Sequence, residues 1–293
     1  HGGTLRMLMA RAKDARQMTV YGYARLVVYS PDGFELVPDI LESFEVEENR
    51  IFTFRLRADH KWSDGQPFTV EDFRYWWKDV ANNDELSPVG PPTVMRVDGE
   101  LPEFEILDPL TVRYTWSKPN PDFLVRLAGA SPLYIYRPAH YLRQFHAKYT
   151  DTEALDASVK KARQRNWSSL HNKFDNLYRN DNLDLPILQP WKIVTKLSSD
   201  RLSFVRNPYF HRVDPAGNQL PYADECLLSV ANNKLIPAKV GTGEVDLQAR
   251  YLRFDDYTFL KQGELRQPYK THLWQTAKGA HLALFPNLNV EDP

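Results

Sequence analysis

The sequence predicts an α/β chain of mixed α+β type, and three observations carry that expectation. Ile51 to Leu56 alternates Phe52, Phe54 and Leu56 with Thr53, Arg55 and Arg57, the period of two of a half-buried strand. Soon after it, Phe73, Trp76, Trp77 and Val80 fall at i, i+3, i+4 and i+7, the stripe of a helix laid on a sheet. Strand-like and helical runs then keep alternating, and no period of about 20 to 50 residues repeats, so solenoids and propellers are out.

Taken in order, Thr4 to Met9 reads as a short strand. Tyr23 to Tyr29 is a second apolar run, closed by the turn residues Ser30-Pro31-Asp32-Gly33. After the Ile51 to Leu56 strand, Ser63-Asp64-Gly65 supplies a tight turn. Thr69 is the expected N-cap of the next helix, with Asp72 three residues on as the reciprocal half of a capping box and Glu71 at the positive end of the helix dipole. Strands around Phe104 to Leu107 and Thr111 to Trp116 read as a hairpin joined by Asp108-Pro109. Pro119 to Pro121 introduces a helix through Leu127, and Pro138 to His146 starts another. Thr150 to Asp184, polar and charged with helical spacing, reads as a solvent-facing insertion near a domain boundary. From Leu185 the character changes to short strands, at Lys192 to Leu197, Arg201 to Arg206 and Cys226 to Val230.

Composition bounds the function. The chain has 293 residues, 42% hydrophobic and 26% charged, which is enough to bury a real core and allows about two domains. With 37 Lys+Arg against 38 Asp+Glu there is no cationic surplus for phosphate neutralisation, so no nucleic-acid partner is expected. No window of about 18 apolar residues exists, and the longest apolar runs, such as Leu282 to Phe285, are strand-sized. The single cysteine, Cys226, excludes an internal disulfide. Aromatic content is high, at 13%, which suits both a core and a cleft for peptides or sugars.

Motifs for chemistry are mostly missing. There is no nucleophile elbow, zinc-protease helix or Walker loop, and Gly241-Thr242-Gly243 has only two of the three glycines of a dinucleotide fingerprint. His140 and His146, six apart, fall on opposite faces of a helix with no third ligand, so no metal site and no cofactor is expected. Asp255-Asp256 reads as solvated surface charge rather than a glycosidase pair, since neighbouring residues point apart. Cys226, beside Leu227 and Leu228, reads as a buried, inert thiol.

Three consecutive blocks are more specific than any of these elements. Leu36-Val37-Pro38-Asp39-Ile40-Leu41-Glu42-Ser43, then Phe52-Thr53-Phe54-Arg55-Leu56-Arg57, then Lys61-Trp62-Ser63-Asp64-Gly65-Gln66-Pro67-Phe68-Thr69-Val70-Glu71-Asp72-Phe73, resemble in the same order the N-terminal signature of the bacterial extracellular solute-binding proteins of family 5. Arg206-Asn207-Pro208-Tyr209-Phe210, Leu220-Pro221-Tyr222-Ala223-Asp224 and Gly243-Glu244-Val245-Asp246 resemble later motifs of that family. One departure stands out. Where the family often has a glycine loop, this chain has Leu188-Gln189-Pro190-Trp191.

The resemblance implies a periplasmic-binding-protein-like class II lobe with a small accessory domain. The expected division is a discontinuous first lobe over residues 1–28 and 165–293, and an accessory domain over 29–164. Family members run longer, so a second, C-terminal lobe is expected to be missing from this chain. The implied function is that of the substrate-binding component of an ABC importer, a monomer in the periplasm after signal-peptide removal, closing on a solute and delivering it to the permease subunits without making or breaking bonds. A peptide is placed just ahead of a galactoside-type oligosaccharide as the solute. A carbohydrate-active enzyme and a receptor module that has lost transport remain as other classes. Cleft-facing candidates are Tyr21 and Tyr23 after the first strand, Trp191 at the altered glycine loop, and Trp274, His281 and Asn287 toward the missing lobe, each weighed against core packing or plain surface.

Overall fold

A computed structural model of the chain describes residues 2–179, 181–196 and 200–274. The expected β-hairpin and capped helix build its largest core. Strands β4 (Leu41–Glu47), β5 (Ile51–Leu56), β6 (Glu103–Asp108) and β7 (Thr111–Thr115) form an antiparallel sheet in the order β4-β5-β7-β6. The alternation seen in the sequence survives as burial. Phe52, Phe54 and Leu56 are at most 1% exposed, whereas Arg55 points to solvent beside Glu42. At about 2 kcal/mol for each fully buried large side chain, this face is a main contributor to the fold.

The helix laid on that face begins as expected and then departs from the expectation. Helix α2 (Val70–Arg74) is capped by Thr69, whose Oγ1 accepts from Glu71 N while Asp72 Oδ2 accepts from Thr69 N. Beyond Arg74 the chain widens into a π-helical turn, Tyr75–Ala81, rather than continuing as α-helix to Val80. The wider turn places Trp76 and Trp77 next to one another, both buried, with the Trp77 ring edge-on to Tyr114 of β7 at 6.0 Å. Asn82 Nδ2 closes the turn by donating to Trp77 O at 2.8 Å. Both tryptophans are core, as their spacing suggested.

A short ribbon, β2 (Val27–Tyr29) with β3 (Leu36–Pro38), leads into this sheet, and α3 (Asp122–Leu127) and α4 (Ala139–Leu142) pack around it. The polar stretch 150–184 is largely exposed or half-exposed, and it encloses a small core of its own. Helices α5 (Thr152–Lys161) and α6 (Trp167–Phe174) pair through Leu155, Val159 and Leu170, with Phe145 and Phe174 stacked at 4.5 Å.

The second sheet is assembled from the two ends of the described chain. Its order is β1-β10-β9-β8, with β1 (Thr4–Met9), β8 (Trp191–Ile193), β9 (Arg201–Arg206) and β10 (Glu225–Val230). Of the expected Lys192 to Leu197 strand, the regular register runs to Ile193, Val194 N still donates to Ser203 O at 2.9 Å, and Leu197 lies outside the described residues. β1 runs parallel to β10 in the register Thr4↔Glu225 through Met9↔Val230, and the other pairs are antiparallel. Helix α1 (Met18–Gly22) covers one face through Met18, and α7 (Ile236–Gly241) and α8 (Tyr257–Gly263) close a smaller cluster around Leu8 and Ile236. Cys226 is buried here, its thiol pushed up to about 12 by desolvation, with Sγ 3.8 Å from Met18 Sδ.

Candidate functional site

In open α/β sheets ligands bind outside the carboxyl ends of neighbouring parallel strands, because the chain leaves both strands there and opens a crevice. The β1–β10 pair makes one such place. Ala10 and Arg11 follow β1, Ala231, Asn232 and Asn233 follow β10, and together with Tyr251 they line a cavity of about 260 Å³.

A buried carboxylate shapes this opening. Asp14, 0% exposed, accepts from Ala10 N at 3.2 Å and Arg11 N at 3.0 Å, and from the Tyr251 hydroxyl. The Arg250 guanidinium lies 3.0 Å from its other oxygen, which gives the buried charge a counter-ion. Tyr251 holds φ of 65°, a left-handed backbone that a bulky residue adopts only when its surroundings impose it. Burial and the Asp14 carboxylate together raise the Tyr251 hydroxyl above its ordinary range, so it is a neutral donor.

The segment leading to Tyr251 also occupies the outer edge of β1. Asp246 accepts from Arg6 N at 2.8 Å and pairs with the Arg6 guanidinium, and Asp246 N donates to Arg6 O. Gln248 Oε1 accepts from Leu8 N at 2.8 Å, while its Nε2 donates to Leu8 O and to Arg250 O. The backbone groups that an added strand would need at Arg6 and Leu8 are therefore taken.

The residues expected to face a cleft are not brought together. Tyr21 packs on the core of the second sheet, its hydroxyl raised by burial against the backbone of Ala249 and Arg250, one step from the cavity wall. Tyr23 faces the other way: its hydroxyl donates to Ala128 O at 2.9 Å, and the Arg25 guanidinium sits over its ring at 5.3 Å. Trp191 is half-buried on the same core as Tyr21, with its indole donating to Ala223 O at 3.3 Å. It stands on β8, three strands from β1, about 14 Å across the sheet. Trp274 is 84% exposed. His281 and Asn287 lie outside the described residues.

Arg11, Asp14, Asn232, Asn233 and Tyr251 are the residues that sequence reasoning missed. Arg11 and Asp14 follow the first expected strand and Asn232 and Asn233 the last, while Tyr251 stands well beyond any; the pairing that joins them links residues 221 apart. Among the described residues no group of three or more His, Cys, Asp or Glu is placed to hold a metal ion. His140 and His146 serve separate structural contacts, with Asp64 Oδ2 and with Asp79 O.

Comparison with known proteins agrees with this architecture. Residues 35–291 match the bacterial extracellular solute-binding proteins, family 5 (Middle), and the chain belongs to that family. It is 29% identical over 225 residues to the periplasmic alpha-galactoside-binding protein of Rhizobium meliloti, covering 76% of this chain and 30% of that protein. It is 30% identical over 139 residues to the periplasmic oligopeptide-binding protein OppA of Escherichia coli, covering 43% of this chain and 25% of that one. Among solved structures, an oligopeptide-binding protein OppA superposes with a TM-score of 0.80 at 33% identity, covering 90% of this chain and 42% of that chain. The chain thus spans less than half the length of these relatives. Family and fold are those of solute-binding proteins, which are not enzymes.

Proposed function

We propose that this family 5 chain forms part of the substrate-binding component of a bacterial ABC importer, acting in the periplasm on a galactoside-type oligosaccharide. The observation that carries the choice of solute is the cavity at the carboxyl ends of β1 and β10. It offers the guanidinium, amide and phenol chemistry of Arg11, Asn232, Asn233 and Tyr251, beside a strand edge already occupied at Arg6 and Leu8. Planar polar side chains match pairs of sugar hydroxyls, and a filled edge leaves no ladder for an extended peptide. The alpha-galactoside-binding relative, aligned over three-quarters of this chain, supports the same choice. A peptide is the second reading, favoured by the two OppA proteins at 30% and 33% identity.

Residues 1–28 and 165–293 form one lobe and 29–164 an accessory domain; the distinct cores of the two four-stranded sheets support two units, while Leu26, Leu185, Ile187 and Phe210 of the lobe pack into the accessory core and bind the two together. The protein acts as a monomer, closes around its solute and hands it to permease subunits, with no bond made or broken. Tyr21 supports the cavity wall from behind, while Trp191, Trp274, His281 and Asn287 remain candidate contacts.

A thermal-shift titration with raffinose and with a mixture of tri- to pentapeptides tests this reading. A ligand at about 100 times its Kd adds about 2.7 kcal/mol to the folded state. A saturable rise with raffinose alone is expected. A rise with peptides alone would replace the sugar by the second reading.

A further inference from the structure

A second cavity, of about 220 Å³, opens where the loop after β5 meets the loop after β9, away from the carboxyl ends of β1 and β10. Arg57, His60 and Lys61 contribute from the first loop, and Tyr209 and His211 from the second. Its charge is unbalanced toward the positive. The Arg57 guanidinium donates Nε and Nη2 to the Asp39 carbonyl at 3.3 and 3.2 Å and has no carboxylate partner among the described residues. The Lys61 ammonium lies 5.6 Å from the centre of the Tyr209 ring and likewise makes no ion pair there. Asp59 is exposed at the rim and is the single carboxylate among the lining residues.

The floor is made of two imidazoles whose hydrogen bonding is incomplete. His60 is 7% exposed, and its ring centre is 5.2 Å from that of His211. His211 Nε2 is 2.8 Å from Asp39 Oδ1, so it carries the proton, because an ionised carboxylate only accepts. Asp39 in turn is paired with Arg212, Nε to Oδ1 at 2.7 Å and Nη2 to Oδ2 at 2.8 Å, and its pull on the His60 ring is the smallest of the influences there, outweighed by burial, His211 and Arg57. The Nδ1 atoms of His60 and His211 are both buried without a hydrogen-bond partner. With the proton on Nε2, His211 Nδ1 is an acceptor that no anion completes, whereas His60 Nδ1 becomes an unpartnered donor once its ring is protonated.

We propose that this cavity binds a small oxyanion, phosphate or a carboxylate group, between the Lys61 ammonium and the Arg57 guanidinium and over the His60 ring. Two otherwise unpaired cations supply the charge, and a cavity of this size admits one such group. The site is separate from the proposed solute cavity and does not depend on the identity of the solute. The groups facing His60 are Arg57, Lys61, His211, Asp39, Arg212 and Asp59. Burial, then His211 and Arg57, push its imidazole down to about 4, so it is neutral in the empty cavity. An anion beside it favours the charged ring, so binding strengthens as pH falls from 7 toward 5.

The test is a titration of the intact chain with inorganic phosphate, and separately with acetate, at constant ionic strength maintained with sodium chloride, following the histidine ring resonances by NMR. Saturable movement of the His60 and His211 signals is expected, tighter at pH 5.5 than at pH 7 and weakened at least tenfold by Lys61→Met. Lys61 is exposed, so that substitution leaves folding intact, and Lys61→Arg retains binding. Saturation with acetate as well as phosphate identifies a general oxyanion site, and saturation with one alone identifies the group it takes. Movement that is linear, equal with chloride, or unchanged in Lys61→Met overturns the proposal.

Discussion

The Trp62 indole Nε1 donates to Asp72 Oδ2 at 3.1 Å, inside the core that the first sheet shares with α2. The same oxygen accepts from Thr69 N at 2.9 Å, and Asp72 Oδ1 accepts from Ala139 N at 3.0 Å. The Trp-Ser-Asp-Gly turn, the helix cap and the start of α4 are therefore one unit tied by a single carboxylate. Replacing Asp72 by Ala leaves three donors unanswered, two of them buried, and is expected to cost about 3 kcal/mol, read as a lower urea midpoint. Asp72→Asn keeps one acceptor and falls between the two.

Acid is expected to destabilise the fold through its buried histidines. Desolvation pushes His60 and His171 down to about 4 from an ordinary 6.5. Between those values the unfolded chain binds protons that the folded chain refuses, so their contribution is complete above pH 6.5 and is lost as pH falls to 4. Asp72 acts in the opposite sense: burial raises it to about 6, so its protonated form favours the fold below that pH. Two histidines against one aspartate leave a net loss on acidification, on the order of 3 kcal/mol. Urea midpoints at pH 7.5 and 4.5 check the sign, and an unchanged or higher midpoint at pH 4.5 contradicts it.

Local order was legible in the sequence where it was periodic or capped. Phe52, Phe54 and Leu56 turn inward as their alternation requires, and Thr69 with Asp72 forms the capping box that the spacing suggested. The π-helical turn at Tyr75–Ala81 was not legible, because the same apolar stripe fits an α-helix. Nor was the small core inside the 150–184 stretch, which three residues, Leu155, Val159 and Leu170, suffice to form while most of the stretch faces solvent. The cavity after β1 and β10 was hidden for a different reason. It depends on a parallel pairing between Met9 and Val230, and no local pattern records which distant strand lies alongside.

Asp39 is expected to be among the most sensitive positions in the chain. Burial pushes its carboxyl up, but the hydrogen bonds from His211 and Arg212 outweigh that and hold it at about 2. Its removal leaves the half-buried Arg212, which also donates to the carbonyls of Gly22 and Tyr23, and the buried His211 ring without their acceptor, so Asp39→Ala should cost about 3 kcal/mol. Because the folded value lies below the ordinary 3.8, the stabilisation is full above pH 4 and is lost as pH falls toward 2. Limited proteolysis of Asp39→Ala should cut the chain faster than wild type.

Trp191→Ala separates a packing role from a solute contact. The ring is half-buried on the core around Phe204 and Leu228, and its indole holds the Ala223 carbonyl. The substitution is expected to lower stability by about 2 to 3 kcal/mol, as partly buried aromatic truncations do. Trp191→Phe should recover most of it. Full stability with lost raffinose binding would instead assign Trp191 to the cleft.

Around the cavity, the arrangement predicts two variants with opposite signatures. Asn232 follows β10 on the cavity wall, and its side chain accepts from Lys234 N in a local turn. Asn232→Ala should therefore weaken raffinose binding about tenfold, the loss of one or two hydrogen bonds to the sugar, while the melting temperature stays within about 2 °C of wild type. Asp14→Ala should change both. Ala10 N, Arg11 N and the Tyr251 hydroxyl lose their acceptor and Arg250 its counter-ion, so the carboxyl-end turn loosens and Tyr251 leaves its left-handed position. Calorimetric titration beside a melting curve reads the two effects apart. If Asn232→Ala binds raffinose as well as wild type, the solute does not occupy the carboxyl ends of β1 and β10.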